Sequence, residues 1–281
     1  MTVTPSSFPD HPAQAFNLVP FAQEHLTGAQ RLSQEAGWPH RGEDWALNLS
    51  VSEGVVALID NEVVGTALCT NFGDVAALNM IIVDARMRGQ GLGARLMAWI
   101  IACAGARELR LVATVDGQPL YAKLGFVETG RIVQHQGEAR AAAPHQPVWD
   151  GCAQDRAALA AMDMNASGMS RAALIGKIIE HGQILKTDGG FALLRDFGRG
   201  RVLGPVVARD VAGARALIAE AATRCAGTFL RIDLPEQVGL AGCVEDLGLT
   251  HVGGGTAMVC AARMQNDRNF TTYGLVSQAL G

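Results

Sequence analysis

The feature that most constrains this chain is that it comes close to repeating itself. Set GTALCTNFGDVAAL (residues 65–78) above GFALLRDFGRGRVL (190–203): Gly65, Ala67, Leu68, Phe72, Gly73 and Leu78 meet Gly190, Ala192, Leu193, Phe197, Gly198 and Leu203. GARLM at 93 then meets GARAL at 213, LRL at 109 meets LRI at 230, and KLGFVETG at 123 meets DLGLTHVG at 246. The blocks keep their order, so the chain is expected to fold as two copies of one unit. Its 281 residues suit two domains of roughly 150 residues each. Residues 137–149 carry prolines, alanines and mixed charges that break both helical and strand periodicity. They are expected to be a linker between a first domain, 1–136, and a second, 150–281.

Each copy reads as a helical region, a run of antiparallel strands, a strand-turn-helix, another strand, a short helix and a closing strand. In the first copy Asp60-Asn61 marks a hairpin turn. GARLMAWIIACAG is apolar at helical spacing and stops at Gly105. QPLYAKLGF has a proline near its first turn and Gly125 just past its end, the asymmetry of a short helix. The segment FTTYGLVSQALG alternates and lacks charge, so it is expected to be a last strand tucked onto a domain.

Composition removes several classes of function. The net charge of −4 and the absence of a basic stripe argue against a nucleic-acid partner. The six cysteines lie too far apart for a C-x-x-C metal or redox site, so no metal is expected and the thiols are expected free and mostly buried. The first sixteen residues lack the basic start and apolar run of a signal peptide. No run of about 18 uncharged apolar residues occurs, so no membrane partner is expected either. A reduced, cytoplasmic compartment is the default expectation.

The chemistry is concentrated in RMRGQGLGARLM (86–97), which follows the apolar AALNMIIVDA. A helix N-terminus leaves N–H groups unpaired, and glycines before it permit positive φ and close approach of an anion. Arg88 and the helix dipole add favourable charge, about 0.3 to 1 kcal/mol for the dipole. The turn is therefore suited to a pyrophosphate. It is not a Walker loop, which needs G-K-[ST]. It is a poor dinucleotide fingerprint, because antiparallel strands precede it and position 94 is alanine.

Arg88-x-x-Gly91-x-Gly93 after an apolar strand resembles the acetyl-CoA loop of the GNAT superfamily of N-acetyltransferases. LYAKLGF at 120–126 resembles that superfamily's next motif, in the right order and separation. The resemblance covers about residues 16 to 135. It implies an α+β fold of two GNAT-like domains, each a mostly antiparallel, splayed mixed sheet flanked by helices.

It also implies that acetyl-CoA lies where the strand at 78–83 splays from that at 108–114. Main-chain groups of Ile81, Ile82 and Val83 would bond the pantetheine arm, and a donor from a bulge on that strand the thioester carbonyl. The N–H groups of Gly89, Gln90, Gly91, Leu92, Gly93 and Ala94, with Arg88 beside them, would hold the pyrophosphate. Tyr121, the only tyrosine before residue 273, matches the superfamily's general acid. Its alternative is a ring packed on the coenzyme with the hydroxyl bonded elsewhere.

The acceptor site of the superfamily is formed by the first helices, which directs attention to AGWPHRGEDWALNL (36–49). His40, as a base or an acceptor contact, and Trp38, Glu43 and Asp44 are the candidates; Trp38 and Trp45, seven apart, could share a helix face. The plainer alternative makes both tryptophans core and the polar residues a helix start with capping acids. Asp84 is expected to cap or turn.

The second copy lacks five residues in the glycine turn, where VDARMRGQGLGARLM has become VVARDVAGARAL, and Val244 stands opposite Tyr121. One coenzyme site per chain is therefore expected. The second copy would shape the acceptor pocket, pack against the first or mediate a homodimer. The expected activity is transfer of an acetyl group to the primary amine of a small molecule by direct attack. The alternatives are a protein or peptide N-acetyltransferase and a non-catalytic acyl-CoA-binding sensor.

Overall fold

The computed structural model describes residues 16–263 and 268–281. The reading of the first sixteen residues therefore falls almost wholly outside the described ones. The first half runs β1 (Asn17–Pro20), α1 (Leu26–Glu35), α2 (Gly42–Leu49), β2 (Glu53–Ile59), β3 (Glu62–Phe72), β4 (Val75–Val83), α3 (Leu92–Ala104), β5 (Glu108–Ala113), α4 (Gln118–Lys123) and β6 (Val127–Glu138). The second runs β7 (Trp149–Asp150), α5 (Arg156–Ser167), α6 (Ala172–His181), β8 (Gln183–Thr187), β9 (Gly190–Phe197), β10 (Gly200–Ala208), α7 (Val211–Arg224), β11 (Phe229–Pro235), α8 (Ala241–Asp246), β12 (Thr250–Cys260) and β13 (Thr271–Gly274).

The repeat is structural. The matched hairpins are β3–β4 and β9–β10, both antiparallel and both turning at a positive-φ glycine, Gly73 or Gly198. Asp60 and Asn61 both have positive φ, as a tight two-residue hairpin turn requires. Helix α3 buries Leu92, Leu96, Met97, Ile100 and Ala104 along one stripe against the sheet, and α7 buries the equivalent face. The stop at Gly105 follows from its φ of 62°.

All thirteen strands belong to one sheet, in the order β1-β2-β3-β4-β5-β12-β6-β11-β10-β9-β8-β7, with β13 on β10. The order shows that the two halves exchange their closing strands. β6 does not return to β5; it pairs antiparallel with β11 through Phe229–Pro235. β12 takes the place beside β5, pairing Thr256–Cys260 with Leu109–Ala113. β6 and β12 also pair with each other, so the exchange forms the centre of the sheet. The domain division expected at 136 and 137 therefore falls inside β6, which continues to Glu138. An apolar cluster joins the halves as well: Phe72, Val75 and Ala77 pack with Leu159, Leu174 and Ile175 of α5 and α6 and with Val276.

In each half two parallel strands pair briefly and then part. β4 meets β5 only over Val75–Ala77, and β10 meets β11 only over Arg201–Leu203. In the second half the wedge is filled by β13, as expected for the tail. β13 pairs antiparallel with Val206–Ala208 of β10, and Leu275 N–H donates to the Asp233 carbonyl of β11 at 2.9 Å. Gly204 is required there, because a Cβ would run into the Leu275 carbonyl.

Because β5 is completed by β12 and β11 by β6, neither half contains a whole sheet. Residues 1–148 and 149–281 produced separately are expected to aggregate or self-associate through the bare edges. The intact chain should unfold in one transition. Size-exclusion chromatography and thermal denaturation check both outcomes, and two independently folding monomeric halves would contradict the exchange.

Candidate active site

The open wedge of the first half brings together Trp38, His40, Ile81 and Tyr121 of the expected site residues. β3 and β4 keep register up to Leu68 with Asn79 and resume at Thr66 with Ile82, so β4 carries one extra residue. This bulge leaves Met80 and Ile81 without register partners. Met80 has a φ of 49°, unusual for a residue with a side chain, and its carbonyl accepts from Thr66 Oγ1 at 2.7 Å. A bulge at that point takes Met80 and Ile81 out of the ladder with β3, and both line the cavity beside it. The side chain of Ile82 packs into the core with Trp45 and Leu32, so only its main chain can serve a ligand.

Beyond β4 the chain passes Asp84, whose carboxylate accepts from Arg86 N–H at 2.9 Å and bonds its guanidinium, a capping role as expected. The glycine turn follows. Gly89 and Gly91 have φ of 77° and 79°, with open space where a Cβ would stand. Gly93 has ordinary φ, and its Cβ would meet Leu120 at an ordinary 3.4 Å. The first helical bond is donated by Arg95 N–H to the Gly91 carbonyl at 3.2 Å. The N–H groups of Leu92, Gly93 and Ala94 are thus left pointing out of the helix end. Arg88 is exposed beside them, 3.7 Å from Asp116.

The second copy shows the opposite solution. At the start of α7 the Asp210 carboxylate accepts from Gly213 N–H at 2.7 Å. A carboxylate of the chain itself occupies the helix end that the first copy leaves open. Val244, opposite Tyr121 in the repeat, is fully buried.

Tyr121 on α4 faces the wedge and is 7% exposed. Burial pushes its phenol up to about 12, so it keeps its proton through the neutral range. Gly117 permits the pose, since a Cβ there would lie 2.8 Å from the ring.

A cavity of about 350 Å³ is lined by Met80, Ile81, Thr114 and Tyr121 and by Trp38 and His40, with the glycine turn outside its lining. A larger cavity of about 570 Å³ elsewhere between the halves contains none of the expected site residues. The His40 ring packs against Phe197 and Trp38, and its Nδ1 is buried without a partner among the described residues. Burial, with Arg231 nearby, lowers its pKa to about 4. It is a neutral imidazole at pH 7 and a weak base.

Three expectations about this region are corrected. Trp38 and Trp45 share no helix face, because Gly37 with φ of 77° and then Pro39 interrupt the chain before α2 begins at Gly42. Glu43 is exposed and does not reach the cavity. Asp44 is buried but turned away from the cavity. Its carboxylate accepts from Arg41 N–H at 2.9 Å and from the Arg41 guanidinium, so it is the capping acid of α2. Burial alone would raise its pKa, yet the bonds from Arg41 and from Gly198 N–H, 3.0 Å away in the second half, bring it below the usual value.

The second half supplies the rest of the wall: Phe197, Arg199, Arg231 and Ser277 to Ala279. Gln134 and Gln136 of β6 join them. Nothing local in the sequence marks these residues. Phe197 matches Phe72 in the repeat, which makes it look like a hairpin core position. Arg231 and Gln278 reach the cavity only through the crossed strands and the filled wedge.

A sheet whose parallel strands part beside an uncapped helix end, with a phenol in the gap, is the arrangement the first half presents to comparison with known proteins. Models of the acetyltransferase (GNAT) domain match residues 51–128 and 159–274. The chain belongs to the GNAT acetyltransferases, with two such domains in tandem, and is an acetyltransferase enzyme. It is 28% identical to an uncharacterized N-acetyltransferase, YitH, of Bacillus subtilis (strain 168), over 94% of this chain and 98% of that protein. Its fold is similar to that of a putative acetyltransferase from Pyrococcus horikoshii, with a TM-score of 0.83 at 18% identity over 98% and 99% of the two chains. A tandem GNAT protein from the clavulanic acid biosynthesis pathway superposes with a TM-score of 0.60 at 12% identity, over 89% and 100%.

The lowered pKa of His40 has a consequence for stability. Between pH 6.5 and about 4 the unfolded chain protonates this histidine while the folded chain does not. Stability present above pH 6.5 is therefore lost as pH falls through that window, by about 3 kcal/mol when complete. His135, also lowered by burial first, acts in the same direction. Urea titrations at pH 7 and pH 4.5 should show the loss, and His40→Gln should flatten it.

Proposed function

We propose that this protein transfers the acetyl group of acetyl-CoA to the primary amine of a small metabolite by direct attack, at one site per chain. The observation that carries this reading is the contrast between the two wedges. The first has an open gap, unpaired N–H groups at Leu92 to Ala94 and a protonated phenol. The second is filled by β13 and capped by Asp210.

The residues present fit the coenzyme. The cup of Gly89 to Ala94, with Arg88 at its rim, suits the pyrophosphate, and the main chain of Ile81 to Val83 suits the amide-bearing arm. The coenzyme supplies an activated acyl group and a thiol leaving group. A main-chain donor released by the bulge at Met80–Ile81 polarises the carbonyl being attacked. As the new C–N bond forms and the C–S bond breaks, Tyr121 gives its proton to the departing sulfur and regains one from solvent. The amine loses its proton to water, because His40 is too weak a base to hold it. His40 instead offers its unpartnered Nδ1 as an acceptor contact.

The cavity volume of about 350 Å³ favours a small acceptor over a protein chain. A sensor would need the cup but no phenol, and Tyr121 is held in the gap. All six cysteines are unpaired, which agrees with a reducing, cytoplasmic setting. Among the described residues no helix is long and apolar enough to cross a membrane. None of their His, Cys, Asp and Glu side chains form a group of three or more that could hold a metal.

Titration calorimetry with acetyl-CoA should give one site per chain. Gly91→Val, which forces a β-branched residue into left-handed backbone, should weaken that binding at least about tenfold. Tyr121→Phe should lower kcat by about 10² to 10⁴ while coenzyme affinity stays within a few-fold. Gly117→Ala, by displacing the ring, should reproduce part of that loss. Release of free thiol measures turnover, and unchanged kcat in Tyr121→Phe would remove the phenol from the mechanism.

A further inference from the structure

The wall supplied by the second half presents arginines to the cavity and no carboxylate. Among the residues lining the cavity are Arg199, Arg231 and His40, and no aspartate or glutamate. Arg231 is almost fully buried and places Nε and Nη2 on the Asp233 carboxylate, at 3.1 and 2.9 Å to Oδ2. Its Nη1 has no partner among the described residues. Asp233 also accepts from Gln278 Nε2 at 3.0 Å, so it has little capacity left.

Behind this pair lies Arg195, also buried. The guanidinium carbons of Arg195 and Arg231 both lie 5.1 Å from the Phe197 ring centre. The nearest carboxylate to Arg195 is Asp44, at 3.9 Å, and Asp44 is already bound by Arg41 and Gly198 N–H. Arg195 Nε has no partner at all among the described residues. Arg195 and Arg231 thus each face one carboxylate that other donors also hold, and Arg199 adds a further cation at the exposed edge. Burial with such an imbalance is unfavourable, and a bound anion relieves it.

The same cavity is lined by Tyr121 and by Met80 and Ile81 of the β4 bulge, where the acyl-transfer reading puts the attacking amine. The geometry points to an acceptor that carries both groups: an amine for the Tyr121 end and a carboxylate for Arg231 Nη1 and Arg199, as in an amino acid. This rests on the acyl-transfer reading above and specifies its substrate. The neutral state of His40 belongs to the same arrangement, since a further cation beside Arg231 and Arg195 would add to the repulsion. Asn79, whose side-chain Oδ1 is buried without a partner while its amide nitrogen donates to Thr70 Oγ1 at 2.9 Å, lies on the cavity's β4 wall.

Matched amines test this. The standard amino acids, their α-amides, the corresponding decarboxylated amines and 1-aminoalkyl phosphonates are offered with acetyl-CoA while free thiol is followed. At least one amino acid should be used with a kcat/KM about tenfold or more above its amide and its decarboxylated amine. The phosphonate arm separates a carboxylate from an anion of any kind. Arg199→Glu should raise KM for the amino acid at least about tenfold, with kcat nearly unchanged, and shrink its advantage over the amide. Arg231→Lys keeps the charge beside Asp233 and removes the free Nη1, and should also raise KM; circular dichroism and coenzyme affinity show that each variant folds. Calorimetry of the amino acids and amides on the protein–CoA complex reports on the anion contact without turnover. Equal use or binding of amides and acids, or an unchanged KM in Arg199→Glu, overturns the proposal while leaving the acyl-transfer reading intact. Failure to bind acetyl-CoA would overturn both.

Discussion

Two parallel strands that part after three paired residues leave their inner edges with main-chain groups that need partners. That constraint occurs twice here, and the rest of the molecule follows from how each copy meets it. In the second half the chain meets it internally. β13 enters the wedge, Leu275 bonds Asp233 across it, and Asp210 takes the helix end. In the first half the wedge stays open, a bulge releases Met80 and Ile81 from the ladder, and the helix end keeps its N–H groups free. One copy is closed by its own chain and the other leaves its gap and helix end open.

The same internal filling builds part of the first half's cavity. The residues after β13 turn back so that Ser277 to Ala279 line the first half's gap. The crossed strands β6 and β12 hold the two halves at a fixed distance, and the bonds from Gly198 and Arg41 to Asp44 fix the α1–α2 corner against the β9–β10 turn. A Cβ on Gly198 would stand 3.0 Å from the Pro39 carbonyl, so this approach requires glycine as well as the turn does. Asp44, an acceptor-site candidate with capping as its plainer alternative, therefore joins the halves, and the cavity wall carries more arginine than carboxylate.

Much of the fold was legible. The repeat, the Asp60-Asn61 turn, the stop of α3 at Gly105 and the short α4 all depend on local backbone preferences and helical spacing, which a sequence displays directly. The glycine turn was legible for the same reason: positive φ at Gly89 and Gly91 is a local requirement. The resemblance that it carried with LYAKLGF led to Tyr121, which does face the gap. The plainer account of Glu43 and Asp44 as helix-start acids also holds.

The crossing of β6 and β12 was not legible, because both closing strands suit either neighbour and pairing is decided by how the halves pack. Nor were Arg231, Arg199, Phe197 and Gln278 legible as cavity residues, since each joins the site from a separate element of the other half. The amino-acid order set the two units, their turns, the open cup and its loss in the second copy, all through short-range geometry. Which strand sits beside which, what fills the second wedge and which charges face the acceptor depend on contacts between residues a hundred or more positions apart, and those exist only once the halves have folded into one sheet.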